Sequence, residues 1–331
     1  MIKCAIVGAT GLVGSTFLKV LEEKKLPIDE YTLFASSRSA GKEVTFMDKT
    51  YIINELKEDS FEKEHFDFAL FSAGSNTSEK YIPLAVKSGT IVIDNSSYFR
   101  MHDNVPLVVP EVNPGDILKQ NGIIANPNCS TIQLMLPLKA LNDKFGIERV
   151  IVSTYQAVSG AGIAGINDLT NTIRGNKPKK FKYPISSNCI PQIDVFQENL
   201  YTKEEMKMIE ESRKILHLPS LKITSTCVRV PVKNSHSESV NITLKENATI
   251  DDVRKCLSNF ENIIIVDDIL TENYPINDLA NGNDKIYVGR IRKDFSCQNS
   301  FNFWVVADNI RKGAASNAVQ ILEKIINKNI E

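Results

Sequence analysis

The sequence predicts an α/β fold in two domains, and three observations carry that expectation. A short apolar strand opens the chain and runs directly into a glycine-rich turn and an amphipathic helix. Continuous apolar strands then alternate with helical stretches, the pattern of a mostly parallel sheet covered on both faces. The chain has 331 residues, more than one typical hydrophobic core organises.

The first strand is Lys3–Val7, followed by Gly8-Ala9-Thr10-Gly11-Leu12-Val13-Gly14 and a helix over residues 15–24. This is a G-x-x-G-x-x-G variant of the strand–turn–helix fingerprint. Glycines let the backbone approach a pyrophosphate, and the helix N-terminus offers unpaired N–H donors. Gly8, Thr10, Gly11, Leu12, Val13 and Gly14 are therefore candidate cofactor contacts; a tight turn in an unrelated α/β domain is the plainer reading. The second strand, residues 31–35, ends at Ser36-Ser37-Arg38-Ser39. An NAD site usually places Asp or Glu there to accept from ribose hydroxyls. Ser37, Arg38 and Ser39 instead suit the additional phosphate of NADP, because guanidinium binds phosphate in bidentate fashion. Arg38 as an ordinary surface residue is the alternative.

Residues 68–71 form the next strand, ending in Ser72-Ala73-Gly74, with a helix at 79–87. Strands at 90–93, 107–109 and 123–125 complete the set, the first of them ending in Asp94-Asn95-Ser96-Ser97. Ligands bind beyond strand C-termini in such sheets, which brings Gly8, Ser72 and Cys129 toward one crevice; Ser72 and Gly74 are candidate cofactor contacts.

The segment Asn126-Pro127-Asn128-Cys129-Ser130-Thr131 sets a cysteine at the mouth of the apolar run Ile132-Gln133-Leu134-Met135-Leu136. First-turn N–H groups lack intrahelical partners, and the helix dipole adds positive potential. Both stabilise a thiolate and lower a cysteine pKa from about 8.5 toward neutrality. Cys129 is the candidate nucleophile; a buried helix cysteine is the bland alternative.

A strand at 147–156 runs into Ala157-Val158-Ser159-Gly160-Ala161-Gly162, small residues that leave room for a cofactor or an approaching backbone. Gln156 is placed to bond near the cysteine, although a structural amide fits the same pattern. The Asn-, Lys- and Pro-rich segment 167–191 reads as a solvated loop or subunit contact. A helix follows Thr202, with Glu205 at the capping-box position, and carries Lys207 and Arg213 before stopping short of Pro219. Strands at 222–230 and 238–244 flank His236, one of four histidines. Its reference pKa near 6.5 suits it to take the thiol proton and exchange a proton with a substrate oxygen; a satisfied structural histidine is the other reading. A strand at 299–307 carries Phe301, Phe303 and Trp304 as one sheet face, and a helix at 314–328 ends the chain. The expected organisation is a Rossmann-like dinucleotide-binding domain at 1–127, completed by a C-terminal helix within 310–331. A second α+β domain for catalysis and dimerisation occupies 128–309.

With 39 basic against 40 acidic residues the formal charge is -1, which gives no electrostatic case for nucleic acid. No run has the order of a signal peptide or the length of a membrane span, so a cytoplasmic location is expected. The six cysteines show no CxxC spacing and read as free thiols, and no His/Cys cluster has metal spacing. A homodimer is expected, with a tetramer as the alternative.

Together, Gly8-Ala9-Thr10-Gly11-Leu12-Val13-Gly14, Asn126-Pro127-Asn128-Cys129-Ser130-Thr131, Tyr155-Gln156-Ala157-Val158-Ser159-Gly160-Ala161-Gly162, Arg229-Val230-Pro231-Val232 and His236-Ser237-Glu238 resemble the aspartate-semialdehyde dehydrogenase family. The resemblance runs in order along nearly the whole chain. It implies NADP-dependent reduction of L-4-aspartyl phosphate, through a cysteine thioester, to L-aspartate 4-semialdehyde and phosphate. That reaction feeds lysine, diaminopimelate, threonine and methionine biosynthesis. By match to the family's motifs, Cys129 is the nucleophile, His236 the acid/base and Gln156 a positioning residue. Arg229 clamps the substrate carboxylate and Glu204 reaches its amine side. Arg100, Asn128 and Lys207 bind phosphate, and Asn309 lies near the nicotinamide. Ser235 stands where many relatives have glycine. An N-acyl-glutamyl-phosphate reductase shares this logic with a longer substrate, and a glyceraldehyde-phosphate dehydrogenase-like enzyme is a weaker match. A non-enzymatic redox sensor would keep the dinucleotide site without turnover.

Overall fold

The glycine turn after the first strand sits where a parallel sheet reverses its winding. A computed structural model describes residues 1–328 and 330; Asn329 and Glu331, within the expected C-terminal helix segment, lie outside the described residues. One unit comprises Met1–Asn128 with the C-terminal segment from Ala314, and the other comprises Cys129–Gly313.

The first unit contains β1 (Lys3–Val7), α1 (Leu12–Lys24), β2 (Glu30–Ala35), β3 (Glu43–Phe46), β4 (Lys49–Ile52), β5 (Asn54–Glu55), α2 (Ser60–Lys63), β6 (Phe68–Phe71), α3 (Ser75–Lys87), β7 (Ile91–Asp94) and β8 (Ile123–Ala125). Its sheet runs β5-β2-β1-β6-β7-β8, with every pairing parallel. The order turns outward in both directions from β1, so the switch point lies between β1 and β6, the ligand position of doubly wound sheets. Among the described residues of this unit, only the β3–β4 hairpin, off this sheet, is antiparallel. The chain's C-terminal helix, Asn317–Ile326, packs Ala318, Val319, Ile321 and Leu322 into the same core as Ile6, Leu21, Leu33 and Leu70. Asn317 Nδ2 fixes it further, donating to the Val108 carbonyl at 2.9 Å and to Asn126 Oδ1 at 2.7 Å.

Four local expectations change. The apolar triplet 107–109 makes a single bridge, Leu107 to Ala125, rather than a strand. Pro106 and Pro110 flank it and donate no ladder hydrogen bond. Helix α1 begins at Leu12, inside the glycine turn, and α3 begins at Ser75, directly after Gly74. Toward the C-terminus, a π-helical turn at Arg311–Ser316 precedes the regular helix.

The second unit contains α4 (Cys129–Phe145), β9 (Ile147–Gln156), α5 (Gly162–Ile173), α6 (Lys203–Ile215), β10 (Lys222–Arg229), β11 (His236–Leu244), α7 (Ile250–Ser258), β12 (Ile263–Ile265), α8 (Asn277–Ala280), β13 (Ile286–Lys293) and β14 (Ser300–Ala307). They form a mixed sheet, β10-β9-β11-β14-β13-β12, in which β10–β9 and β12–β13 are parallel and the other pairs antiparallel. One face is buried by the period-two rule: Val150, Val152, Val240, Ile242, Phe301, Phe303 and Val305 are all essentially inaccessible. Helices α4, α6 and α7 pack against this sheet. Trp304 departs from the expected single aromatic face. It falls out of phase with Phe301 and Phe303 and meets Tyr155, ring centroids 5.1 Å apart. The capping box of α6 forms as expected: Thr202 accepts from Glu205 N–H and Glu205 accepts from Thr202 N–H.

Candidate active site

Sheet register assembles the polar residues of the second unit into one row. Arg229 at the end of β10 is paired with Gln156 at the end of β9. Ser237 of β11 is paired with Tyr155, which sets His236 beside Gln156 on the third strand. All three side chains are buried, as is Glu204 on α6. Gln156 Nε2 donates to Glu204 Oε1 at 3.2 Å and to Thr154 Oγ1 at 3.3 Å. Glu204 also accepts from Lys207 Nζ at 3.0 Å. Arg229 Nη1 donates to the Ala157 carbonyl at 2.6 Å. Burial pulls the Arg229 pKa down, while the charges of Glu204 and Cys129 favour its ionised form. The same attraction favours a thiolate at Cys129, which is half-buried and starts α4.

The Ala157 N–H donates to His236 Nδ1 at 3.0 Å. With Nδ1 committed as acceptor, a neutral ring carries its proton on Nε2. Burial and then the Arg229 charge push the His236 pKa down to about 3, which favours the neutral ring. Nε2 itself is buried without a protein partner among the described residues. In that tautomer Nε2 presents its N–H, an arrangement suited to hydrogen-bonding a substrate oxygen.

Two glycines make room for these groups. A Cβ on Gly160 would fall 2.8 Å from Arg229 Nη1 and 3.2 Å from His236 Nε2, and a Cβ on Gly313 would fall 2.9 Å from the Cys129 Cβ. Gly160, read from sequence as a cofactor contact, thus has a packing role beside the imidazole. Gly313 escaped the sequence reading, since only the fold brings it to Cys129. Asn309 holds the entry to β11: its Oδ1 accepts from Ser235 N–H at 2.9 Å, and its Nδ2 lies 3.0 Å from Ser159 Oγ. Below His236, Gln133 Nε2 donates to the His236 carbonyl at 3.4 Å. Glu238 is fully buried, and burial lifts its pKa well above the usual carboxylate value.

Ser235 has φ of 68°, in the left-handed region, and its buried Oγ has no partner among the described residues. Ser235→Gly is expected to raise unfolding free energy by about 0.5–1 kcal/mol, since glycine adopts this conformation without the Cβ penalty. Urea denaturation of the two proteins checks it; an unchanged or lower midpoint would contradict the strain argument.

In the first unit, Gly8 has φ of 87°, and a Cβ there would fall 2.4 Å from the Ser72 carbonyl oxygen. A Cβ on Gly14 would fall 2.0 Å from the Gly8 carbonyl oxygen. The turn is therefore packed tightly against the backbone after β6 and against the first turn of α1, so a side chain at either glycine would strike backbone. The N-terminus of α1 beside it offers the unpaired N–H donors that suit a pyrophosphate. Thr10 Oγ1 lies 3.4 Å from Ser39 Oγ, which joins the glycine turn to the segment bearing Ser37 and Arg38. Arg100 is buried and donates from Nη2 to the Asn95 carbonyl at 3.0 Å. Asn126 Nδ2 donates to Asn95 Oδ1 at 2.7 Å, pinning the segment that leads through buried Asn128. Among the described residues no group of His, Cys, Asp and Glu could hold a metal ion, and no helix is long and apolar enough to cross a membrane.

Residues 3–120 match the family described as semialdehyde dehydrogenase, NAD binding domain, and residues 138–312 match semialdehyde dehydrogenase, dimerisation domain. The chain is 51% identical over 338 residues to the aspartate-semialdehyde dehydrogenase of Aquifex aeolicus, covering 99% of each chain. It is 47% identical over 340 residues to that of Bacillus subtilis, covering 98% of each. Among solved structures it resembles aspartate semialdehyde dehydrogenase II of Vibrio cholerae complexed with ASA, with a TM-score of 0.95, 45% identity and 99% of each chain covered. It also resembles the Candida albicans enzyme with NADP, with a TM-score of 0.79, 27% identity and 100% of each chain covered.

Proposed function

The chain belongs to the aspartate-semialdehyde dehydrogenase family, and from that premise we propose that it reduces L-4-aspartyl phosphate to L-aspartate 4-semialdehyde and phosphate with NADPH, in the biosynthesis of lysine, diaminopimelate, threonine and methionine. The observation that carries this reading is the buried row Arg229–Gln156–His236 with Glu204 against it, in the unit whose first helix begins at Cys129.

Cys129 enters as the thiolate, favoured by first-turn N–H groups and by the Arg229 charge. Its sulfur bonds to the acyl carbon, the carbon–oxygen bond to phosphate breaks, and a thioester remains on Cys129. Arg229 presents a planar guanidinium to the substrate α-carboxylate, and Glu204 takes the amine side. Gln156, held by Thr154 and Glu204, positions the acyl group. Arg100, Asn128 and Lys207 bind phosphate. Gly8, Thr10, Gly11, Leu12, Val13 and Gly14 hold the dinucleotide, with Ser37, Arg38 and Ser39 at its additional phosphate, Ser72, Gly74 and Gly160 as further cofactor contacts and Asn309 near the nicotinamide. When bound, NADPH supplies the hydride that turns the thioester carbonyl into a tetrahedral oxyanion. His236 Nε2–H donates a hydrogen bond to that oxyanion, which re-forms the carbonyl as the carbon–sulfur bond breaks, releasing aldehyde and regenerating the thiolate with no net proton transfer. The outward sheet face bearing Tyr155 and Trp304 is assigned to a homodimer.

The reverse reaction tests the assignment. Aspartate semialdehyde, NADP and phosphate together should yield NADPH, and leaving out phosphate should abolish the signal. Equal or better turnover of N-acetyl-glutamate semialdehyde in a parallel assay would reassign the substrate. NADPH formation without phosphate would replace phosphorolysis by simple aldehyde oxidation.

A further inference from the structure

Lys207 is held by two carboxylates of different standing. Glu204 lies one helical turn away on α6, at 3.0 Å, with its side chain 7% exposed. It also accepts from Gln156, so it is tied into the buried row. Asp194 reaches the same ammonium at 3.2 Å from outside α6, with its side chain 36% exposed.

The arm carrying Asp194 is braced at both ends. Ile190 exchanges two 2.9 Å backbone hydrogen bonds with Arg229, and Lys203 N–H donates to the Val195 carbonyl at 2.9 Å. Phe196 bridges to Thr202. Asp194 itself has φ of 69°, a left-handed conformation that Asp and Asn tolerate better than most side chains. The fold thus fixes a carboxylate where it meets the lysine, at some backbone cost.

We infer that Asp194 is the resident counter-ion of Lys207, yielding the ammonium to phosphate and taking it back as phosphate departs. This rests on the proposed reading of Lys207 as a phosphate ligand. A phosphate arriving there would bring a third anionic group to one ammonium. Glu204 is the less able to move, because desolvation and its bond to Gln156 hold it. Asp194, at the solvent edge, is the group that gives way. In the biosynthetic direction phosphate is a product, and a carboxylate competing for its cation weakens its retention. The same competition makes the enzyme a poorer user of phosphate in reverse.

Asp194→Asn removes the charge and keeps a residue suited to left-handed backbone. At constant ionic strength, D194N is expected to lower the KM for phosphate in the reverse reaction by about three- to tenfold, the effect of one partly exposed charge. Product inhibition by phosphate in the forward direction should tighten to a similar degree, with the KM for NADP unchanged. Lys207→Ala should raise the phosphate KM, and adding D194N to K207A should then give no further gain. If K207A leaves the phosphate KM at the wild-type value, Lys207 is not a phosphate ligand and the inference falls with that reading. If K207A raises it while D194N leaves it unchanged or raises it, the reading of Lys207 stands and the counter-ion role is overturned. A merely structural ion pair would not give a lower KM on losing a partner.

Discussion

Cys129→Ser is expected to lower turnover by about 10⁴-fold or more, with NADP affinity retained. The reason lies in what surrounds the sulfur. On the proposed reading Cys129 is the nucleophile because helix-end donors and a guanidinium charge favour its anion. A serine hydroxyl is far too weak an acid for those fields to ionise. It would need a base, and the nearest imidazole in the buried row is committed: Nδ1 accepts from Ala157, leaving Nε2 protonated. Serine is also no larger than cysteine, so the close Gly313–Cys129 approach is not crowded. Loss of rate in C129S therefore reports chemistry rather than misfolding. Steady-state rates with NADP titration check it, together with mass spectrometry of wild-type enzyme quenched during turnover. An acyl adduct on any residue other than Cys129 would refute the covalent route, as would near-normal turnover of C129S.

The strand–glycine turn–helix opening was legible because local chemistry determines it. Gly8 is close to Ser72 for the same reason that the motif needs glycine. The α6 capping box was likewise fixed by residues three apart. The cysteine at a helix start could be read from one segment. The row of Arg229, Gln156 and His236 was not readable as a row. Each residue terminates or begins a different strand, and only the parallel pairing of β10 with β9 and the antiparallel pairing of β11 with β9 align them. Motif resemblance named these residues without their arrangement. Asp194 gave no signal at all, since it sits in a loop without periodicity and finds Lys207 only through the braced arm. The failed strand at 107–109 shows the converse. Its apolar run looked sufficient, but the flanking prolines removed the donors that extend a ladder.

His236→Asn is expected to cut kcat by about 10²–10⁴-fold, and the pH behaviour separates its role from that of a thiol base. Because burial and the Arg229 charge hold its folded pKa near about 3, His236 does not ionise across the neutral range. Any acidic limb of the wild-type kcat profile above pH 6 must then belong to another group, and H236N should keep such a limb at a lower plateau. A limb near pH 6.5 that disappears in H236N would show that the ring titrates during turnover and acts as the base. Stability gives an independent reading of the same group. In the unfolded chain His236 takes a proton below about pH 6.5, but in the folded state only below about 3. Between those values the unfolded state binds the extra proton, so wild-type stability falls as pH drops through that window. Above it the neutral ring costs nothing. Asparagine carries no such proton, so H236N should gain stability relative to wild type on going from pH 7 to pH 4.5, measured by urea unfolding at both. A constant difference between the two proteins would mean the imidazole is not held neutral, and the donor role assigned to Nε2 would lose its basis.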